Sequence, residues 1–216
     1  MKKTLVICLA LLVLASLTAL AQNAPKTVIT INGGRTTVQM KSQPATHVIP
    51  QACKPAKFYD NICNGNINSG EGYTISDGSP INTEYTPACQ IVALASGKTT
   101  KISVDVGFVT GTNGAIVDLD SDCSNLPCGN PDGSKHLCQG KIKNLFTFGQ
   151  TPVPESFKCV AKLKKGKAYW VYVQSDANSW LAWDLSATAT GGFVEGTNDV
   201  WGTYTSSDPV GGLSIY

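Results

Sequence analysis

Along much of the chain, apolar and polar residues alternate with a period of two. The longest unbroken case is Lys101-Ile102-Ser103-Val104-Asp105-Val106-Gly107-Phe108, the pattern of a half-buried strand. The same reasoning predicts strands at 115–120, 141–148, 157–163, 168–174, 179–186, 200–205 and 213–216. Turn signals stand between them: Ser96-Gly97, Gly111-Thr112-Asn113-Gly114, Pro131-Asp132-Gly133, Lys165-Gly166 and Gly191-Gly192. Past the N-terminal apolar run, no long stretch has helical periodicity. Many short strands with frequent turns predict an all-β chain, an antiparallel β-sandwich or jelly roll.

The N-terminus changes what the composition means. Lys2 and Lys3 precede an apolar run that closes on Ala19-Leu20-Ala21, the layout of a secretory signal peptide over 1–21. The run is short for a spanning helix, so no membrane span is expected in the mature chain, which would begin at Gln22. Residues 22–56, rich in Pro and Gly, read as a flexible lead-in able to dock by one edge strand at 27–31. A single β-sandwich domain is expected over 57–216. The full chain of 216 residues carries a net charge of +2. Without the leader, fifteen basic residues face fifteen acidic ones, and Arg35 is the sole arginine. A nucleic-acid partner, which calls for a basic surplus and arginine contacts, is thereby excluded from the expectation. The expected location is secreted, either extracellular or periplasmic.

Export makes disulfides the default reading of the remaining cysteines, Cys53, Cys63, Cys89, Cys123, Cys128, Cys138 and Cys159. An odd count leaves at least one thiol free or paired with another molecule. Alternation turns Cys89 and Cys159 inward, so a bridge between them is the working expectation. Cys123, Cys128 and Cys138 share one loop, where two can pair locally. His136 beside Cys138 raises zinc, but the spacing Cys-x4-Cys-x7-His-x-Cys matches no familiar structural zinc pattern.

The runs Phe58-Tyr59-Asp60-Asn61 and Gly72-Tyr73-Thr74-Ile75-Ser76 resemble the opening of bacterial secreted β-sandwich domains of the "choice-of-anchor" kind. Leu119-Asp120-Ser121-Asp122, Gly166-Lys167-Ala168-Tyr169-Trp170-Val171 and Leu181-Ala182-Trp183 followed by Trp201 extend the resemblance over 57–216. It implies an extracellular, non-catalytic surface module. The cysteine content departs from that pattern, and the chain shows no C-terminal sorting signal.

Few residues offer chemistry. The two histidines, His47 and His136, sit beside no nucleophile elbow, and there is no nucleotide-type glycine loop. No catalytic residue is assigned, and the chain is not expected to be an enzyme. Asp118, Asp120 and Asp122 would project from one strand face as hard oxygen donors suited to Ca²⁺, the one possible cofactor. The competing reading is a strand end running into a solvated loop. Lys158, Lys162, Lys164, Lys165 and Lys167 form a basic hairpin able to meet anionic polysaccharide or lipid headgroups, or simply to keep a hairpin tip soluble. Trp183 shares the face of Leu181 and Leu185 and is expected in the core. Trp180 shares the other face with Ala182 and Asp184, and we expect Trp180 and Asp184 to contact ligand.

The expectation is therefore a secreted, non-catalytic binding or surface module with an extracellular glycan as first ligand class. Two alternatives stand beside it. One is a glycan-active hydrolase using paired carboxylates, drawn from Glu71, Glu84, Glu155 and Glu195 or the aspartates. The other is a structural envelope or matrix protein.

Overall fold

The computed structural model describes residues 28–32, 34–39, 46–47, 54–63, 67–129, 136–198 and 200–216. The leader expected at 1–21, much of the lead-in, and Cys53 lie outside the described residues. Within them the chain is all-β, and every strand pairing is antiparallel. The strands are β1 (Val28–Asn32), β2 (Arg35–Gln39), β3 (Thr46–His47), β4 (Tyr59–Asp60), β5 (Ile67–Asp77), β6 (Glu84–Val92), β7 (Gly97–Lys98), β8 (Lys101–Val104) and β9 (Val106–Gly111). They continue with β10 (Gly114–Ser121), β11 (Cys138–Lys143), β12 (Glu155–Lys158), β13 (Lys162–Leu163), β14 (Ala168–Ser175), β15 (Ser179–Thr197), β16 (Val200–Trp201), β17 (Thr205–Gly211) and β18 (Leu213–Ile215). Among the described residues, no helix is long and apolar enough to cross a membrane.

A large sheet runs in the order β1-β2-β5-β15-β6-β14-β10-β11, and a second runs β12-β8-β18-β4. The layering is compatible with a sandwich. β5 and β6 form a hairpin paired only near its tip, Ser76 with Tyr85 and Asp77 with Glu84. The 19-residue β15 enters between the splayed arms. Its first limb pairs with β5, from Trp180 opposite Ser76 to Ser186 opposite Ile67. Its second limb pairs with β6, from Phe193 opposite Cys89 to Gly196 opposite Thr86. Register shifts against β17 fall between Leu185 and Thr190 and between Gly191 and Phe193, and such irregularities bend a strand. The Gly191-Gly192 pair, expected as a turn between strands, instead lies within this bent one.

The alternating segment 101–108 is interrupted at Asp105, where the chain leaves the four-stranded sheet as β8 and joins the large one as β9. Gly212 marks the same passage between β17 and β18. Backbone bonds tie these crossings to β15 in a closed ring. Asp105 N–H donates to Gly212 O (2.9 Å), Gly212 N–H to Asp184 O (2.7 Å) and Asp184 N–H to Asp105 O (2.9 Å). The two glycines here are required by close approach. A Cβ on Gly211 would lie 2.2 Å from Trp183 Cε2, and one on Gly212 would lie 2.8 Å from Asp105 Cβ.

The main core gathers Ile75, Ile91, Ile102, Val104, Leu119, Val171, Leu181, Trp183 and Leu213 with their neighbours. Trp183 is buried as its pattern predicts, and its indole N–H donates to Gly212 O at 3.0 Å. The pattern left open which face of β14 is covered; both are. Val171 and Val173 enter the main core, while Trp170 and Tyr172 join Ala88 and Val194 in a smaller one capped by Leu126, Trp201 and Tyr204.

Two disulfides lie wholly within the described residues, Cys123–Cys128 and Cys138–Cys159, and Cys63 is also disulfide-bonded. The expected Cys89–Cys159 bridge is not formed. Both residues face inward, but alternation fixes a face and not a neighbour. Cys159 meets Cys138 at the start of edge strand β11, whereas Cys89 lies against β17, its sulfur accepting Gly211 N–H at 3.4 Å. The lead-in also does more than dock by one strand. β1 and β2 form a hairpin, and β2 pairs with β5, Arg35 opposite Tyr73.

Candidate functional site

At the tip of the β5–β6 hairpin, the turn brings two carboxylates face to face, Asp77 directly opposite Glu84. The end of β15 reaches the same place, and Asn198 N–H donates to Glu84 Oε2 at 3.0 Å. Between them lies a groove of about 370 Å³ lined by Asp77, Gly78, Asn82, Thr83, Glu84, Thr197 and Asn198. Gly78, Asn82 and Asn198 adopt positive φ, which glycine and asparagine tolerate best, so the turn chemistry also places amide groups on the groove. Asp77 is held by two backbone donors, Ser79 N–H to Oδ1 at 3.1 Å and Asn178 N–H to Oδ2 at 2.7 Å. Carboxylates are acceptors, and each oxygen can take more than one donor, so both groups can also meet the hydroxyls of a ligand.

Trp180 stands one residue down the sheet, opposite Ser76. It is half-buried, and its indole N–H donates to Thr36 Oγ1 at 3.1 Å, with Thr36 in turn bonded to Thr74. The ring is thus held by hydroxyl groups of the β2 and β5 strands while part of it remains accessible.

Asp184 does not accompany it. It has no exposed surface, and with Asp105 it forms a fully buried pair at the strand-crossing ring, all four side-chain oxygens lacking a hydrogen-bond partner. Burial drives both carboxyls up, and the charge of Asp105 pushes Asp184 further, so protonation is favoured at neutral pH. A surface ligand has no access to this pair. Asp184 is covered because the chain crosses between the two sheets at Asp105 and at Gly212, both of which bond to its backbone.

The three aspartates of the other cluster are separately engaged. Asp118 Oδ1 accepts from Gln139 Nε2 (2.9 Å) and lies 3.5 Å from His136 Nδ1. Burial pushes Asp118 up to about 7, opposed by those two neighbours. Asp120 Oδ2 accepts Gly129 N–H at 3.0 Å, and burial raises this carboxyl too. Asp122 Oδ1 accepts from Gln90 Nε2 and Trp170 Nε1, both at 2.8 Å. Instead of a solvated strand end, Asp118 and Asp120 are buried, and Asp122 anchors the disulfide-closed 123–128 turn over the smaller core. Among the described residues, no three His, Cys, Asp or Glu side chains are placed to hold a metal ion.

A further polar cluster surrounds Arg35, which pairs with Glu71 (3.4 Å) and Asp208 (3.6 Å) and lies over the Tyr73 ring. Tyr73 stacks on Phe193. Beneath it, burial pushes the Cys89 thiol up to about 12. Cys89 should therefore resist alkylation in the native protein and react only on unfolding. A timed iodoacetamide assay read by mass spectrometry checks this; rapid labelling in native buffer would contradict it.

Sequence reasoning missed the groove. Glu84 entered only as one of four glutamates, and Asp77, Asn82 and Asn198 not at all. The available signals were the short turns Asp77-Gly78 and Thr197-Asn198, which identify loops but not that two loops meet. No known protein family, curated protein or solved structure matches the chain.

Proposed function

We propose that this protein is a secreted, non-catalytic binding module that takes a carbohydrate at the β5–β6 tip. The groove between Asp77, Glu84 and Asn198 carries this reading. Carboxylates, amides and hydroxyls on an open concave surface match the donors and acceptors of a polyhydroxylated ligand, and the partly exposed Trp180 ring, at the same strand end but on the other face of the sheet, offers a separate stacking face. The resemblance to choice-of-anchor surface domains and the disulfides, which persist in oxidising compartments, support the extracellular setting.

Paired carboxylates across a groove also motivate the hydrolase alternative. Asp77 and Glu84 are engaged by backbone N–H groups, an arrangement that suits acceptors holding a ligand better than a proton donor. The test is a glycan array with the full protein, Trp180→Ala and Asn198→Ala, each checked for an unchanged melting profile. Retention of one glycan class, weakened roughly tenfold or more by Asn198→Ala, supports the groove, and a comparable loss in Trp180→Ala shows that a sugar also stacks on that ring. Retention that neither substitution affects would place the ligand elsewhere. Product release abolished by Glu84→Gln would replace binding with hydrolysis.

A further inference from the structure

The far end of β6, roughly 27 Å from the groove for a nine-residue strand, is built differently. Three segments meet there. Leu94 N–H donates to Phe58 O, Gly166 N–H to Ala93 O, and Lys165 N–H to Ser96 Oγ. On the segment leading into the hairpin, from the end of β12 to β13, Cys159, Ala161 and Leu163 are buried while Lys158, Val160 and Lys162 are exposed. Register then sets lysine against lysine: Lys162 is directly opposite Lys98, and Lys158 directly opposite Lys101. Lys164, Lys165 and Lys167 extend the basic surface around the turn, all exposed. The ion pairs of the described residues involve Arg35, His136 and Lys141, and none involves these lysines.

Like charges directly opposite one another across a strand pair destabilise a sheet. Protection of a sheet edge needs a lysine on the edge strand but not a second one facing it. The surface also contains apolar side chains that a device for solubility would omit. Leu94 is 60% exposed, Val160 54% and Val92 51%. Val92 is paired with Ala168 beside the lysine turn. An unneutralised basic surface interleaved with exposed aliphatic side chains fits a partner that offers negative charge above an apolar layer.

We propose that this lysine end is a docking surface for an anionic lipid membrane. The lysines lie at headgroup level, while Leu94 and Val160 reach the acyl boundary. The proposal is independent of the glycan groove, and docking by this end would leave the groove facing away from the bilayer.

The test is cosedimentation of the full protein with phosphatidylcholine vesicles, with and without phosphatidylglycerol, alongside retention on heparin as a soluble polyanion. Binding is expected only with phosphatidylglycerol, and it should weaken as salt rises. Lys158→Gln with Lys162→Gln should lower vesicle partition by roughly 25-fold, about fivefold per lysine. Leu94→Ser with Val160→Ser should lower vesicle partition and leave heparin retention unchanged. Absence of cosedimentation, or partition indifferent to the lysine substitutions, overturns the proposal. Heparin retention combined with vesicle partition indifferent to Leu94→Ser/Val160→Ser also overturns it and assigns the surface to a soluble anionic polymer. Melting curves for each variant separate loss of binding from loss of fold. Glycan binding at the groove should survive all four substitutions, so failure here and failure of the groove reading are distinguishable.

Discussion

Stability is expected to fall steeply between about pH 5 and pH 8, and Asp184→Asn should flatten that fall. The origin is the buried Asp105–Asp184 pair, whose oxygens have no hydrogen-bond partner. Burial raises both carboxyls above their unfolded values near 4, so the folded state retains protons that the unfolded chain releases. A group with a raised folded pKa is most favourable to folding below the unfolded pKa, and its contribution declines as pH rises toward the folded value. Each carboxyl that stays protonated costs about 1.4 kcal/mol of stability per pH unit across that window. An amide in place of the Asp184 carboxyl cannot ionise, so its contribution disappears and the slope should fall by about 1.4 kcal/mol per pH unit. Urea midpoints at closely spaced pH values measure this directly; equal slopes for the two proteins would show that the pair is not the cause. Asp118, Asp120 and Glu195, also raised by burial, add to the same trend and remain in the variant.

Replacing Cys138 and Cys159 together by alanine should cost about 3 kcal/mol, through loss of a cross-link closing a segment of 21 residues. The same replacement at Cys123 and Cys128 should cost about 2 kcal/mol, because only five residues separate them. The two bridges differ in role as well as loop length. Cys138 begins edge strand β11 of the large sheet, and Cys159 follows β12 of the four-stranded one, so their bond joins the layers. Cys123–Cys128 closes a turn within one loop. Denaturant midpoints of the two double variants check the order. A larger loss at Cys123/Cys128 would show that anchoring of Asp122 and the small core outweighs the tie between layers.

Strand content was legible because alternation is a local property. Segments 115–120, 168–174 and 213–216 correspond closely to β10, β14 and β18. What local pattern does not encode is the sheet to which a strand belongs. Residues 101–108 alternate without interruption, yet Asp105 divides them between two sheets, since a strand crossing layers keeps its alternation. Segment 141–148 begins late and ends late relative to β11, which stops just before Asn144 at positive φ. Segment 179–186 falls short of the full β15 because Gly191-Gly192 reads as a turn when its partners on β6 and β17 are unknown. The same limit governed the candidate site. The accessible face of Trp180 is visible in the alternation, but its neighbours do not include Asp184, four residues along. They are Ser76, Thr74 and Thr36, more than a hundred residues away in sequence, which only the pairing of β15 with β5 and of β5 with β2 brings close.

The four-stranded sheet has a kinetic consequence. Its strands come from residues 59–60, 101–104, 155–158 and 213–215, and Ser214 bonds Asp60 across 154 residues of sequence. β18 lies between β8 and β4, so neither gains its β18 pairing until β18 arrives. Assembly of this layer therefore waits on the closure of very long loops, which slows folding. During synthesis, this layer would stay open until residue 215 emerges, with the edges of β8 and β4 facing β18 unpaired in the meantime.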